Sequence, residues 1–510
     1  MPPSDRTGAD ARHAARSAIW QTLTLIGQGL LPLQRMLVSR LFGPALYGTY
    51  RVAADFVELL SRTGMVATDK GVLRFLAMDR VANDQEAAAQ TAGSTLRLAS
   101  RAGILLSLAV AIAAPLLASV WRIPALESMF RVMAPAVLAG DLVVVLVAAT
   151  LAAKITRVNL LVRGIGEPAL LVAATLIAVA VGPSAVSLAF AYLGSYLLLL
   201  AVAVTAVSAI YGGRWLLAAT RKPPRAGFGA YVAPLAAAEL ANALLGRAHI
   251  FLLGGLAGPK AVALFAAAEE LGRPAAAVRY VFDPIAAVAI AECFRLADRE
   301  RLQYNVRLIT RWVASAAAPI AATLIVLRGE LLSLYGPTFG PASSAMVLMV
   351  GTHLSNSVLG IGAGILPVVG RPGRFLVSNL IAAGLNVGLC LLLIPRLGLD
   401  GAAIASLAAT LTLLLMLVAQ TYLIEKVHAF EPALIKPFAA ATVAAVGEMA
   451  VRSIPLATAP RVAAVIATGL IVYTAVLFVL RPGEEERRLI LRVLTTLRLR
   501  RRGGEGEGSP

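Results

Sequence analysis

Charged side chains are scarce in this chain, 15% of 510 residues, while 59% are apolar. A soluble protein holds about a quarter charged residues, so water is not the principal solvent here. Only two cysteines occur, Cys293 and Cys390, and the four histidines, His13, His249, His353 and His428, are scattered. That excludes a disulfide framework and a metal cluster of familiar spacing, and no cofactor is expected. No GxxxxGK(S/T) loop is found, so the chain has no recognisable ATP-hydrolysing unit, and a gradient or a partner must supply energy. No Ser/His/Asp or paired-carboxylate arrangement argues for catalysis. The apolar stretches are continuous rather than alternating, which speaks against an outer-membrane barrel.

What is present in quantity is apolar runs of helical length, with a mean hydropathy of +0.80. The expected fold is an all-α, polytopic membrane protein. A span needs roughly 20 mostly apolar residues, so about 14 transmembrane helices fit within this length. The runs place spans near 18–42, 47–77, 93–119, 130–153, 159–181 and 184–211, and then near 228–256, 260–293, 309–334, 342–368, 375–394, 401–424, 433–451 and 461–480. The implied organisation is a cytoplasmic N-terminal tail (1–17), a first six-helix lobe (18–211), a cytoplasmic linker (212–227), a second lobe (228–424), two further helices (425–480) and a basic tail (481–510). The opening MPPSDRTGADARHAARS is polar and basic, and the segment after it is too long and polar for a cleaved signal, so it reads as an uncleaved first helix.

The formal charge of +18 would suggest nucleic acid in a soluble chain, but here the basic residues lie between apolar runs. Nucleic-acid binding is not expected. With the N-terminus inside, the 46 Lys and Arg divide 32 to 8 in favour of the cytoplasmic segments and their flanks, with six inside spans. Such a bias supports an even number of spans with both termini cytoplasmic.

An internal repeat is visible. Gly43-Pro44-Ala45-Leu46-Tyr47-Gly48-Thr49-Tyr50 recurs at a shift of 215 as Gly258-Pro259-Lys260-Ala261-Val262-Ala263-Leu264-Phe265, and Val162-Arg163-Gly164-Ile165-Gly166-Glu167-Pro168 parallels Val368-Val369-Gly370-Arg371-Pro372-Gly373-Arg374 at a shift of 206. Six helices separate each pair, so the halves share an orientation and a pseudo-two-fold axis would run along the membrane normal. Shared Gly and Pro loop chemistry is the alternative.

An ionisable side chain in mid-membrane costs at least about 2.5 kcal/mol, so it faces a wet cavity or a partner. Arg51, Asp55, Glu58 and Arg62 lie on one face of the second helix. The eighth carries Glu269, Glu270, Arg273, Arg279 and Asp283, the seventh Glu239, Asn242, Arg247 and His249, and the first Gln28, Gln34 and Arg35. The functional reading is a polar, cationic vestibule between lobes, with Arg51, Arg247, Arg273, Arg35 and Asn242 as substrate contacts, because a guanidinium matches phosphate oxygens. Asp55, Glu58, Glu239, Glu269, Glu270 and Asp283 are coupling or charge-pair candidates. The plainer reading is that these charges cancel one another and fix helix packing. Asp141 is expected to be satisfied by a neighbouring helix, and His249 to be a packed residue. In the tail, Leu489, Ile490, Val493, Leu494 and Leu497 share a helical face beside Arg487, Arg488, Arg492 and Arg498, which suits a helix on anionic lipid or a topogenic tail.

LFGPALYGTY, RTGMVATDKGVLRFLA, LLSLYGPTFGPASSAMVLMV and above all VVGRPGRFLVSNLIAAGLNVGLCLLLIPRLGLDGAAIASLAATL resemble segments of the polysaccharide-biosynthesis flippases, in the superfamily that also holds multidrug and toxin extrusion antiporters and lipid II flippases. The resemblance covers roughly 17–480 and carries over no ligand residue. It implies two six-helix lobes in a V, alternating access, and a polyprenyl-diphosphate-linked oligosaccharide moved from the cytoplasmic to the outer leaflet of a bacterial inner membrane. Membrane lipids, and a polymerase and glycosyltransferases of the same pathway, are the implied partners. The first helix lacks the acidic residue that cation-coupled drug exporters often carry, which disfavours that alternative. A membrane glycosyl ligase or polymerase is a further alternative, disfavoured by short external loops. A non-transporting scaffold would leave the mid-membrane charges without purpose.

Overall fold

A computed structural model describes residues 27, 29–64, 68–82, 84–153, 155–213, 221–223, 225–368 and 372–480. Helices are the only regular secondary structure among them. In chain order these are α1 (Leu30–Phe42), α2 (Pro44–Gly64), α3 (Thr68–Val81), α4 (Gln85–Trp121), α5 (Ala125–Met133), α6 (Pro135–Ala152), α7 (Arg157–Val181), α8 (Ala185–Tyr211), α9 (Phe228–Leu245), α10 (Ala248–Ala257) and α11 (Pro259–Gly272). There follow α12 (Pro274–Arg295), α13 (Arg299–Val326), α14 (Arg328–Ser333), α15 (Ser343–Ala363), α16 (Ile365–Val368), α17 (Pro372–Leu397), α18 (Leu399–Glu425), α19 (Ile435–Arg452) and α20 (Thr458–Val479). Residues 18–26 and Gln28 of the expected first span, half of the linker, and the basic tail lie outside the described residues.

Eleven of the described helices are long and apolar enough to cross a membrane, and the protein is a multi-pass membrane protein. The three expected spans missing from that set are the first, the second and the seventh, and each has a physical reason. The first is described only in part. The second carries the charges of α2, and residues 65–67 of the expected 47–77 run lie outside the described residues. The seventh is interrupted between Leu245 and Ala248, where Arg247 leaves the helical conformation at φ −133°, ψ −13°. The eighth also divides, at Arg273, because Pro274 opens α12 and its ring cannot continue a preceding helix. Elsewhere helices outrun the apolar windows: α4 starts at Gln85 and α13 at Arg299, each behind an aspartate (Asp84, Asp298) whose carboxylate accepts a backbone N–H at 2.9 Å. An N-cap of this kind is worth about 1 kcal/mol and lets a polar helical end project beyond the apolar stretch.

The chain divides into two compact units. The first comprises Met1–Leu271, Leu331–Thr352 and Gly370–Leu417. At its centre stands α6, apolar on every face save for Asp141 and 72% buried over its spanning window, whereas the other ten spans range from 17% to 56%. Helices α2, α3, α4 and α8 pack around it, and its Val145, Ala148, Ala149 and Ala152 close on Val72 and Leu76 of α3 and Ala99 of α4.

The two repeat-related helix openings meet inside this unit. Gly43 (φ 84°, ψ 162°) and Gly258 (φ 82°, ψ 175°) turn the chain identically into α2 and α11, at a positive φ that favours glycine. One turn on, a Cβ added at Gly48 would lie 1.7 Å from the Pro259 carbonyl oxygen and 3.1 Å from the Ala263 nitrogen. Ala263 is the residue that the 215-residue shift equates with Gly48. The two repeat-related openings therefore pack directly against each other.

The second unit comprises Gly272–Glu330, His353–Val369 and Val418–Pro510. Here α13 packs against α12 on one side and α19 and α20 on another. Small residues, Ala318, Ala440, Ala441 and Ala444, allow close approach, and the Tyr473 hydroxyl donates to the Ser315 carbonyl at 2.7 Å.

Candidate functional site

The four charges of α2 form the spine of a ladder of alternating sign within the first unit. The Arg51 guanidinium contacts the Asp55 carboxylate at 2.9 Å. Arg247 reaches across from the break between α9 and α10, donating to Asp55 at 2.9 Å and to Glu58 at 2.7 Å. Arg62 completes the row, 2.9 Å from Glu58. The helix break makes this possible, because Arg247 caps α10 and is free of the helical direction that would point it elsewhere. Phe56, on the neighbouring face of α2, wedges among Trp121, Phe130 and Phe251, and the Trp121 indole donates to the Phe251 carbonyl at 2.9 Å. That aromatic cluster holds α10 against α2 and fixes where Arg247 lands.

Burial falls along the ladder. Arg51 and Asp55 are each 4% exposed, whereas the side chains of Glu58 and Arg62 reach 36% and 50%. A second group lies in the same unit: Arg35 of α1 pairs with Glu270 of α11, and His249 lies 3.7 Å from Glu269 and stacks on Phe265. Gln34 donates to the Thr175 hydroxyl at 3.1 Å. Four guanidinium groups, Arg35, Arg51, Arg62 and Arg247, thus stand beside four carboxylates, Asp55, Glu58, Glu269 and Glu270. The set is balanced in charge.

The open end of the ladder is one wall of a polar cleft of about 190 Å³, whose other walls include Lys70, Arg163, Glu167 and Tyr196. Tyr196 donates to Glu167 at 2.9 Å. Beside it, Ser61 donates to Asp141 at 2.8 Å, so the buried carboxyl on α6 is met by the neighbouring helix α2. Two larger hollows exist, an apolar groove of about 490 Å³ along α7 and α8 and a polar pocket of about 410 Å³ in the second unit. No residue of α2 lines the apolar groove.

Of the residues singled out in the sequence, Arg35, Arg51, Asp55, Glu58, Arg247, Glu269 and Glu270 come together in the first unit. Arg273 and Asp283 belong to the second: Arg273 is an exposed residue at the N-cap of α12, and Asp283 pairs with Arg279 at 3.0 Å. Glu239 and Asn242 sit on α9, but their side chains lie outside the described ones. Sequence reasoning placed Arg163 and Glu167 in the fifth span, as part of the repeat, and did not single them out for the site. They belong to α7, where Leu160–Gly166 winds as a π-helix and turns both toward the cleft. Wide turns of this kind are rare and gather at functional sites. The signal was present in the charges of RGIGEP set within an apolar stretch.

A search of curated protein sequences finds no match. Among solved structures, the fold is similar to that of the lipid II flippase MurJ in an inward closed conformation, with a TM-score of 0.72 at 12% identity over 92% of this chain and 99% of that one. It is also similar to an inward-facing multidrug resistance MATE family transporter of the MOP superfamily (TM-score 0.68, 14% identity, 80% of this chain and 98% of that one). A MOP superfamily transporter from Pyrococcus furiosus, described as having a binding pocket of reversed polarity, follows at a TM-score of 0.59, 16% identity, 81% of this chain and 95% of that one. The sequence model of the family described as polysaccharide biosynthesis protein matches residues 37–344, more than half of the chain and including every helix of the ladder. With that match, the chain belongs to the polysaccharide biosynthesis protein family and carries the fold of the MOP-superfamily transporters.

Proposed function

We propose that the protein is a flippase that carries a polyprenyl-diphosphate-linked oligosaccharide from the cytoplasmic to the outer leaflet of the bacterial inner membrane, by alternating access and with both termini cytoplasmic. The family match over residues 37–344 is the observation that carries this reading. A sugar diphosphate cannot enter hydrocarbon unaided, because its hydroxyls and charges would lose water without replacement. Guanidinium groups at bilayer depth replace part of that hydration, while the polyprenyl tail stays in lipid. Arg51 and Arg247, with Arg273, Arg35 and Asn242, are the proposed contacts.

The ladder suggests how the empty carrier keeps these arginines. Asp55 and Glu58 hold them as counter-ions, and an arriving diphosphate exchanges for the carboxylates rather than meeting bare cations. Glu239, Glu269, Glu270 and Asp283 are the remaining coupling candidates. The polymerase and glycosyltransferases of the same pathway would supply and consume the cargo.

The test is leaflet exchange of a fluorescent polyprenyl-diphosphate sugar in sealed proteoliposomes. Protein-dependent loss of protection from an external quencher is expected, and exchange no faster than in empty liposomes would sink the proposal. A cation-coupled multidrug antiporter is the second reading, favoured by the likeness to the MATE transporter. Cation-driven efflux of small cationic dyes, with no effect on the lipid-linked sugar, would establish it instead.

A further inference from the structure

The polar pocket of about 410 Å³ is lined wholly by residues of the second unit. One wall is the start of α13, where Arg299, Gln303, Arg307 and Arg311 recur every four residues and line a single face. The other is the segment that follows α18. Lys426 turns the chain there at φ 58°, and His428 is clamped through both main-chain groups to the Gln303 amide, its N–H donating at 3.0 Å and its carbonyl accepting. The walls are therefore held apart at a set distance without a ligand.

The pocket is not charge-neutralised by its own residues. Arg311 pairs with Glu431 at 3.0 Å. Arg307 meets the Nε2 atom of His428 at 2.9 Å, and since guanidinium only donates, the imidazole nitrogen accepts. The Nε of Arg307 is buried without a hydrogen-bond partner. Lys426 lies only over the Tyr422 ring, 5.8 Å from its centroid. Among the described residues, Arg299, Arg307 and Lys426 thus form no ion pair, and the lining's carboxylates besides Glu431 are the exposed Glu300 and the buried Glu425. Tyr304 lines the pocket and Tyr422 lies against Lys426 and His428, the two rings being 48% and 49% exposed. Amphipathic rings of this kind sit at the headgroup level of a bilayer.

We infer that this pocket binds the phosphate headgroup of an anionic phospholipid, with Arg299, Arg307 and Lys426 as the phosphate contacts and the acyl chains left in the surrounding bilayer. Basic pockets at the ends of membrane helices recognise such headgroups, and each unpaired guanidinium offers the donors a phosphate needs. Inorganic phosphate shares this chemistry, so the test separates the two. It requires no transport activity and is independent of the proposed cargo.

The full-length protein in nanodiscs of phosphatidylcholine is compared with the same protein as phosphatidylglycerol is added stepwise. The midpoint of thermal unfolding is expected to rise and saturate. Arg299→Gln combined with Lys426→Gln, both at exposed positions, is expected to remove at least half of that rise while leaving the midpoint in pure phosphatidylcholine unchanged. An undiminished rise in the variant overturns the inference, as does an equal rise produced by millimolar inorganic phosphate in pure phosphatidylcholine. Were the variant unstable, wild-type protein with a photoreactive phosphatidylglycerol headgroup decides: labelling within 299–311 or 426–431 supports the site, and labelling confined to other segments refutes it.

Discussion

Asp55 is the most demanding residue of the ladder, because it answers two guanidinium groups, one from its own helix and one from across the α9–α10 break. Removing its charge leaves both cations short of a partner in a buried setting, and breaking a buried pair from one side costs about 3–5 kcal/mol. Asp55→Asn is therefore expected to lower the stability of the purified protein by that order, read as a fall in the midpoint of thermal unfolding. Adding Arg247→Gln should recover part of the loss, since it removes one stranded cation. If the double variant is as unstable as the sum of the two single ones, the pairing is energetically idle. Ser61→Ala is a milder case. It strips the hydroxyl from the buried Asp141 and should cost about 1–3 kcal/mol, the penalty for an unsatisfied buried polar group. The spacing of Arg51, Asp55, Glu58 and Arg62 was legible in the sequence as one helical face. What was not legible was the choice of partner: pattern gives each residue's own face, but not that a helix break 192 residues away delivers Arg247 to Asp55.

Breaks and widenings in helices, more than the helices themselves, bring this site together. Apolar run length located the eleven clear spans well, because a continuous apolar stretch has little choice of structure in lipid. It joined α9 to α10 and α11 to α12 across interruptions that hydropathy averages away. The π-helical stretch Leu160–Gly166 is the sharpest example, since it sets the angle at which Arg163 and Glu167 face the cleft. Deleting one residue there would turn the two about 100° relative to the preceding segment, the angle of one α-helical residue. Exchange of the lipid-linked sugar should fall at least tenfold while the protein still purifies as a folded, monodisperse species, and unimpaired exchange would show that the cleft is not used. The repeat supplies a test of packing. Gly48→Ala places a Cβ 1.7 Å from the Pro259 oxygen, where backbone rather than a flexible side chain must yield. A clear loss of folded protein in the membrane is expected, whereas Gly229→Ala, with nothing within 4 Å of the added atom, should accumulate normally.

For the protein as a whole, the charge balance of the first unit bears on how a flippase cycle would be driven. Had the arginines stood unpaired, the membrane potential would act on the empty carrier as well as on the loaded one. With four guanidinium groups set against four carboxylates, the cluster is formally neutral when empty, and in the proposed cycle the potential would act at this cluster chiefly on an anionic cargo. An anion leaving an inside-negative compartment gains about 2.3 kcal/mol per charge per 100 mV, which corresponds to about fifty-fold in an equilibrium constant. Outward exchange of the lipid-linked sugar in proteoliposomes should therefore rise as the interior is made negative and fall when the sign is reversed. Glu58→Gln offers the decisive comparison, because Glu58 sits at the half-exposed end of the ladder, where the loss of a carboxylate is least damaging to the fold. It adds one positive charge to the empty cluster, so return of the unloaded carrier toward the negative side becomes voltage-favoured. Under multiple turnover the variant should depend more steeply on potential than the wild type, while a single round of outward exchange, which begins with cargo already bound, should change little. Identical voltage dependence of the two proteins over many turnovers would mean that the ladder does not move through the field, and that some other charge drives the cycle.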